Sequence, residues 1–183
     1  MSLLKRIFAL SCLIFCMAAQ AQLKVEISGV GATQIPIAVL GFANEEVAPQ
    51  QVSNIIRADL ARSGLFKLVE STQVVTDIAS INPGDWKSKG ADALVVGTVQ
   101  KLADGRFDVR YRLYDTIKAS QTSTLNQALP VNFVRLMSHR IADDIYEKLI
   151  GLPGVFATRM AYVTKAGREY RLEVADADGD GIQ

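Results

Sequence analysis

Two neighbouring segments near the middle of the chain show the clearest pattern of hydrophobic and polar positions. Residues 93–99 are almost continuously apolar, which is typical of a strand covered on both faces. Residues 107–114 alternate, with Phe107, Val109, Tyr111 and Leu113 on one face and Asp108, Arg110, Arg112 and Tyr114 on the other. Asp104-Gly105 lies between them and favours a tight turn. The pattern predicts a β-hairpin whose second strand has one buried face and one charged, solvated face.

The elements on either side of this hairpin predict a layered domain. Residues 35–42 and 66–69 have the apolar character of strands, and residues 52–64 between them have a helical stripe that ends at a glycine. This order indicates two parallel neighbouring strands. Residues 119–129 indicate a more exposed strand, and residues 132–150 a second long helix. The predicted fold class is α/β (α+β), with two long helices on a mixed sheet of about five strands.

Two segments between residues 69 and 90 carry weaker signals. Residues 74–81 are ambiguous between helix and loop. Residues 85–89 follow an Asn-Pro-Gly turn and predict a short helical turn that carries Trp86.

The end of the chain predicts a second hairpin. Residues 156–163 and 170–175 are strand-like and flank a turn that contains Gly167. An isolated two-stranded hairpin is at best marginal in water, so we expect it either to pack back on the domain or to belong to a longer protein.

An acidic segment, residues 176–181, follows this hairpin. Its aspartates at alternate positions match the first half of a calcium loop. The glutamate needed at the twelfth position is absent from the sequence, and a strand leads directly into the segment. An acidic β-turn is therefore the favoured interpretation, and a weak calcium-binding module is the alternative.

The amino end has the layout of a secretory signal peptide. Lys5 and Arg6 precede an apolar run over residues 7–18, and Ala19-Gln20-Ala21 forms a small-x-small cleavage site. The run is shorter than the roughly 20 residues that span a membrane, so we expect export without direct membrane insertion. Cleavage after Ala21 would remove both cysteines and change the formal net charge from +1 to −1, because residues 1–21 contain two basic residues and no acidic ones. No basic surplus remains to indicate nucleic-acid binding.

The first residues after this site predict a partner-binding segment. They alternate in polarity, with Leu23, Val25 and Ile27 apolar, and a glycine-bearing stretch joins them to the domain. Such a segment can add a strand to a partner's sheet, or it can pair at the edge of its own domain. The predicted binding residues are Gln22, Leu23, Lys24, Val25, Glu26 and Ile27.

Residues with catalytic potential are few. His139 is the only histidine, and on a solvent-leaning helix face we expect it to be structural or merely solvated. Ser138 is only its neighbour in sequence, whereas a triad nucleophile needs a base across space and an oriented carboxylate. The sequence G-F-A-N-E-E after the first strand places Glu45 and Glu46 where a phosphate would require free amides. The sequence therefore predicts no enzyme, no cofactor and no metal.

Several of these stretches resemble the TolB family, periplasmic components of the Tol-Pal envelope system. The first hairpin, the strand and helix of residues 37–66, the helix of residues 138–151 and the segment 154–163 resemble the family in its order. After the signal peptide over 1–21, the resemblance implies an amino-terminal domain over 22–152 and the start of a β-propeller over 153–183. TolB proteins continue into a six-bladed propeller, so the sequence is expected to end inside an incomplete first blade.

The resemblance also implies a function and partners. The family links inner-membrane TolA, bound by the amino-terminal arm, to outer-membrane Pal, bound by the propeller. It supports outer-membrane integrity and envelope constriction during cell division. With the propeller largely absent from this sequence, we expect weak Pal binding. The alternative function is a periplasmic outer-membrane assembly or secretion factor of the curli-secretion type, built on a related α/β domain.

Overall fold

The computed structural model describes residues 34–71, 73–74 and 81–183, and its main body is a five-stranded mixed sheet covered by two long helices. The elements, in chain order, are β1 (Ile35–Val39), α1 (Val52–Arg62), β2 (Phe66–Leu68), α2 (Gly84–Ser88), β3 (Ala93–Lys101), β4 (Phe107–Asp115), β5 (Ser120–Leu129), α3 (Val134–Ile150), β6 (Arg159–Ala166) and β7 (Glu169–Asp176). Short 3-10 helices at Glu45–Val47 and Val131–Phe133 precede α1 and α3. The signal peptide, the amino-terminal arm and residues 75–80 of the ambiguous stretch lie outside the described residues.

The sheet has the strand order β2-β1-β3-β4-β5 and confirms the predicted mixed topology. β1 pairs in parallel with β2 and β3, as the strand–helix–strand order indicated. β3, β4 and β5 are antiparallel, with Ala93 opposite Asp115 and Lys101 opposite Phe107. Gly105 lies in the connecting loop with φ +83°, a conformation that glycine adopts without steric cost.

Both faces of β3 are buried, which explains its continuous apolar run. On one face, alternate residues pack with β4 beneath α1 and α3 in the main core. On the other face, Leu94 and Val96 pack with Trp86 of α2 in a smaller cluster. Gly97 is required on the helix side, because a Cβ there would lie 2.2 Å from the ring of buried Phe42.

One prediction about the first hairpin is wrong. Asp108 was expected on the solvated face of β4, but it is only 7% exposed. β4 is flanked by β3 and β5, so Asp108 lies between Gln100 and Ala128 of the neighbouring strands. Its carboxylate accepts a hydrogen bond from Arg110, which keeps the buried charge paired.

The second hairpin forms a separate two-stranded sheet whose base packs back on the domain. Phe156 enters the main core and contacts Tyr146 edge-to-face, with 5.7 Å between ring centroids. The carboxylate of Asp143 accepts hydrogen bonds from the backbone N–H groups of Phe156 (2.7 Å) and Ala157 (3.0 Å). The base of the hairpin therefore packs back on the domain, while Val163 and Leu172 on one face of its strands stay exposed. No helix within the described ranges is long and apolar enough to cross a membrane.

Candidate functional site

The most concentrated group of charged side chains lies where α1, α3 and the turn after β7 meet. We call Asp59, Arg135, His139 and Asp178 the junction cluster. The ring Nδ1 of His139 lies 2.6 Å from Asp59 Oδ2, and its Nε2 lies 3.8 Å from Asp178 Oδ2. The side chains of Asp59 and His139 are 0% and 1% exposed, and that of Asp178 is 15% exposed. The cluster is therefore an internal site that opens to solvent on the side of the turn.

The burial of His139 corrects the expectation that it faces solvent. One stripe of α3 packs on the sheet, and the neighbouring stripe, which carries Ser138, His139 and Ala142, is buried as well. α3 packs closely against α1 as well as against the sheet. More of α3 is therefore buried than the width of its apolar stripe indicates.

Asp59 carries a second polar contact besides His139. Its Oδ1 lies 3.0 Å from the guanidinium of Arg62, one turn further along α1. A buried carboxylate is tolerated when its oxygens are paired in this way. Asp59 therefore holds one side of the imidazole in place, and Arg62 stabilises the negative charge of Asp59.

The Asp59–His139 pair resembles the base and orienting carboxylate of a hydrolytic triad, but no hydroxyl among the described residues completes it. Ser138 is buried, and its Oγ donates to the carbonyl oxygen of Val134 at 3.0 Å. The Nε2 atom of His139 makes no hydrogen bond to any residue in the described part of the chain. The nucleophile position of a triad is thus not formed by these residues.

Arg135 ties the acidic turn to α3. Its guanidinium pairs with Asp176 (3.2 Å), Asp178 and Asp180 (3.1 Å). The turn itself is closed by hydrogen bonds from Asp176 N to Asp180 O (2.9 Å) and from Gly179 N to Asp176 O (2.8 Å). The three carboxylates that suggested a calcium loop therefore converge on an arginine of the domain, and the segment forms an acidic turn.

The electrostatics of this contact keep both partners charged. Burial acts to raise the pKa of Asp178, but the N–H of Asp180 and the guanidinium of Arg135 outweigh it and hold that pKa below its usual range. Burial likewise acts to lower the pKa of Arg135, but its hydrogen bond and attraction to Asp178 outweigh burial. The pKa of Arg135 is therefore raised above its usual value.

A second buried carboxylate closes the amino end of α1. Glu45 accepts hydrogen bonds from Phe42 N (3.2 Å), Ser53 N (2.9 Å) and Ser53 Oγ (2.7 Å). These amides would be needed to bind a phosphate at this helix end. The interpretation of the G-F-A-N-E-E segment agrees with this geometry, because a carboxylate of the chain itself occupies the position.

The predicted partner-binding residues lie outside the part of the chain that the structure describes. They are Gln22, Leu23, Lys24, Val25, Glu26 and Ile27. The described chain begins at Gln34, whose side chain donates to the carbonyl oxygen of Gly64 at 2.9 Å. The next residue, Ile35, donates from its backbone to the carbonyl oxygen of Leu65. The chain therefore enters the domain beside the connection from α1 to β2.

Sequence reasoning missed Asp59 and Arg135. Asp59 lies next to Leu60 on the apolar stripe of α1, and a carboxylate in that position is a signal of a buried pair. Arg135 gave no local signal, because an arginine near the start of an amphipathic helix is ordinarily solvated.

The fold and the junction cluster together define an α+β domain built on a mixed sheet and extended by a β-hairpin. The charged groups of the cluster join the domain to the turn that follows the hairpin. The family model for the TolB amino-terminal domain matches residues 23–122. The chain belongs to the TolB family of the Tol-Pal system. The resemblance identified from the sequence is therefore confirmed.

Curated relatives extend the match beyond the family model. The Tol-Pal system protein TolB of Polaromonas naphthalenivorans (strain CJ2) is 48% identical over 169 residues, covering 91% of this chain and 39% of the relative. That of Albidiferax ferrireducens is 47% identical over 169 residues, covering 92% and 40%. The chain thus spans about two fifths of the length of these relatives.

A solved structure agrees with this family assignment. The crystal structure of TolB from Acinetobacter baumannii superposes with a TM-score of 0.69 at 33% identity, covering 82% of this chain and 38% of that one. The mixed five-stranded sheet with its helices is therefore the fold of the TolB amino-terminal domain.

Proposed function

We propose that the protein is a non-catalytic periplasmic component of the Tol-Pal system, an adaptor between inner-membrane TolA and outer-membrane Pal. In this role it supports outer-membrane integrity and envelope constriction during cell division. The observation that carries the proposal is the 48% identity to a Tol-Pal system TolB over 91% of the chain. This identity favours the adaptor over an assembly or secretion factor of the curli-secretion type.

The use of the buried charged groups supports a non-catalytic role. His139 and Arg135 bind carboxylates that join α1, α3 and the acidic turn. Glu45 caps the helix end that a phosphate would otherwise approach. Each group stabilises the packing of the domain, which is what a scaffold for protein contacts requires.

The TolA contact is assigned to residues 22–27. Leu23, Val25 and Ile27 alternate with Lys24 and Glu26, so an extended segment offers one apolar side to a partner's sheet edge. Residues 28–34 separate this arm from β1, and seven extended residues reach at most about 25 Å. The arm is thus tethered close to the domain and still long enough to engage another protein.

The Pal contact is assigned to a propeller that begins in residues 153–183. β6 and β7 form their own antiparallel sheet, and one of its faces exposes Val163, Tyr170 and Leu172 at 62%, 67% and 71%. An apolar sheet face of this kind is suited to cover by further strands, as in a propeller blade. Replacing Val163 and Leu172 by serine should lower the fluorescence of a bound hydrophobic dye without unfolding the domain. Unchanged dye fluorescence would contradict an apolar face open in this chain.

The experiment that tests the TolA assignment replaces the apolar side of the arm. The triple variant Leu23→Ser, Val25→Ser, Ile27→Ser should weaken binding to TolA at least tenfold, measured by calorimetry. Loss of even one fully buried aliphatic side chain removes about 1.5–3 kcal/mol of transfer free energy, which corresponds to tenfold or more. The melting temperature should change little.

The matched control is the double variant Lys24→Ser, Glu26→Ser, which alters the opposite side of the same arm. It should bind TolA with nearly wild-type affinity. Equal binding by wild type, the triple variant and a chain lacking residues 22–27 would refute the assignment. Export is checked separately by sequencing the amino end of periplasmic material, which should begin at Gln22.

A further inference from the structure

The junction cluster contains a buried nitrogen that has no hydrogen-bond partner within the described residues. This atom is Nε2 of His139, in a side chain that is 1% exposed. It points towards the carboxylate of Asp178, at a distance too long for a hydrogen bond. We propose that His139 and Asp178 bind a divalent cation of the zinc type at the junction of α3 and the acidic turn.

Asp59 prepares the imidazole for this role. Its carboxylate lies 2.6 Å from Nδ1, so Nδ1 carries the proton in the neutral ring. The lone pair of the neutral ring is then on Nε2, facing Asp178. A carboxylate behind a histidine in this way is the arrangement that orients histidine ligands in zinc proteins. Asp59 is therefore a positioning residue and does not itself contact the cation.

The separation of the two ligand atoms suits one bridging ion. Tetrahedral zinc holds ligands at about 2.0–2.1 Å, which places two of them about 3.3–3.4 Å apart. The observed separation of 3.8 Å between His139 Nε2 and Asp178 Oδ2 requires an inward movement of about half an ångström. Imidazole nitrogen favours zinc, copper or nickel over calcium, whose ligands are oxygens. Water can complete the coordination sphere from the side of the turn, where the ligand Asp178 is 15% exposed.

The charges around the cluster favour a cation but limit its affinity. Four carboxylates and three guanidinium groups meet here, which leaves one net negative charge when His139 is neutral. The carboxylates belong to Asp59, Asp176, Asp178 and Asp180, and the guanidinium groups to Arg62, Arg135 and Arg159. Arg135 shares Asp178 with the proposed ion and repels it. Affinity should therefore be weaker than that of a structural zinc site with four protein ligands.

The test measures Zn²⁺ binding directly. The full chain carries Cys12→Ser and Cys16→Ser so that the leader thiols do not compete, and calorimetry at pH 7.5 should show one equivalent of Zn²⁺ bound. The same titration is followed by nitrogen NMR of the imidazole, which is unambiguous because the chain has one histidine. The Nε2 resonance should shift on Zn²⁺ addition, while Nδ1 keeps its proton. Saturable binding without an Nε2 shift, or no saturable binding, would overturn the proposal.

Three variants and one control separate ligation from a purely structural role. His139→Gln and Asp178→Asn should each weaken Zn²⁺ binding at least tenfold. Asp59→Asn should weaken it about 10–100-fold, because an amide can donate to Nδ1 and move the ring proton to Nε2. Asp176→Asn is the control, since Asp176 also pairs with Arg135 but does not face His139. If all four variants are folded by circular dichroism and bind Zn²⁺ as tightly as the wild type, the proposal is overturned.

Discussion

Replacement of Arg135 by methionine tests whether the acidic turn is held on the domain by a charge contact. Methionine keeps the apolar stem but removes the guanidinium that pairs with Asp176, Asp178 and Asp180. A hydrogen bond to a charged group contributes about 1.5–3 kcal/mol, and breaking a well-buried pair costs about 3–5 kcal/mol. Without Arg135, the carboxylate of Asp180 can bind water instead, because its side chain is 57% exposed. The side chain of Asp178 is only 15% exposed, so its carboxylate is left poorly solvated. We therefore expect a loss of about 2–3 kcal/mol in the free energy of unfolding.

The assay is urea unfolding combined with hydrogen exchange. For a chain of this size, 2–3 kcal/mol lowers the melting temperature by about 4–12 °C. Exchange should increase in β6, β7 and the acidic turn before it increases in β3, because the lost contacts hold the hairpin.

The matched control for Arg135→Met is Arg171→Met. Arg171 pairs with Glu169 on the hairpin surface, where the two side chains are 70% and 73% exposed. Such exposed pairs contribute little, so this variant should unfold at nearly the wild-type urea concentration. A loss below about 0.5 kcal/mol for Arg135→Met, or equal losses in the two variants, would refute the reasoning.

Three further perturbations have definite expected outcomes. Gly97→Ala places a Cβ 2.2 Å from the buried ring of Phe42 and should cost about 1–3 kcal/mol in urea unfolding; an unchanged midpoint would contradict this packing. Burial, and then the hydrogen bond to Asp144, raise the pKa of Tyr111 above its usual value. The stability that this shift contributes is complete below about pH 10 and is lost as pH rises through the folded-state pKa. Absorbance at 295 nm should show that Tyr111 ionises only as the protein unfolds in alkali, and the Tyr111→Phe variant identifies its contribution. Ionisation of Tyr111 near pH 10 in the folded chain would be inconsistent with its burial. Asp143→Asn replaces one of the two acceptors at the base of the second hairpin by a donor, and should cost about 1–2 kcal/mol with faster exchange of the two amides it caps; unchanged exchange would show that the cap is dispensable.

Much of the fold follows from local patterns in the sequence. The period-two alternation of residues 107–114 and the Asp-Gly pair before them determine the first hairpin, because side chains alternate faces along any strand. The stripe of α3 and Gly151 after it, at φ +81°, determine the helix and its end. The continuous apolar run of β3 already indicated burial on both faces. Each of these properties belongs to one element or to a pair joined by a short turn.

The junction cluster was not predictable in the same way. Asp59 and His139 are 80 residues apart in sequence, and Arg135 and Asp178 are 43 apart. The apolar stripe of a helix indicates which side faces the sheet. The burial of His139, however, depends on α1 packing beside α3. The error at Asp108 has a similar origin, since its burial depends on residues of the two neighbouring strands, Gln100 and Ala128, that lie beside it.

The division between sequence and structure has a physical cause. Periodicity, turn residues and caps act within a few residues, so they specify elements and their order. The pairing of charged groups depends on where elements with long connections come together, and the free energy of that pairing depends on the water that packing excludes. For this protein, the sequence alone determined the sheet, the helices and the family resemblance. Only the tertiary structure placed His139 between two carboxylates and three aspartates around Arg135.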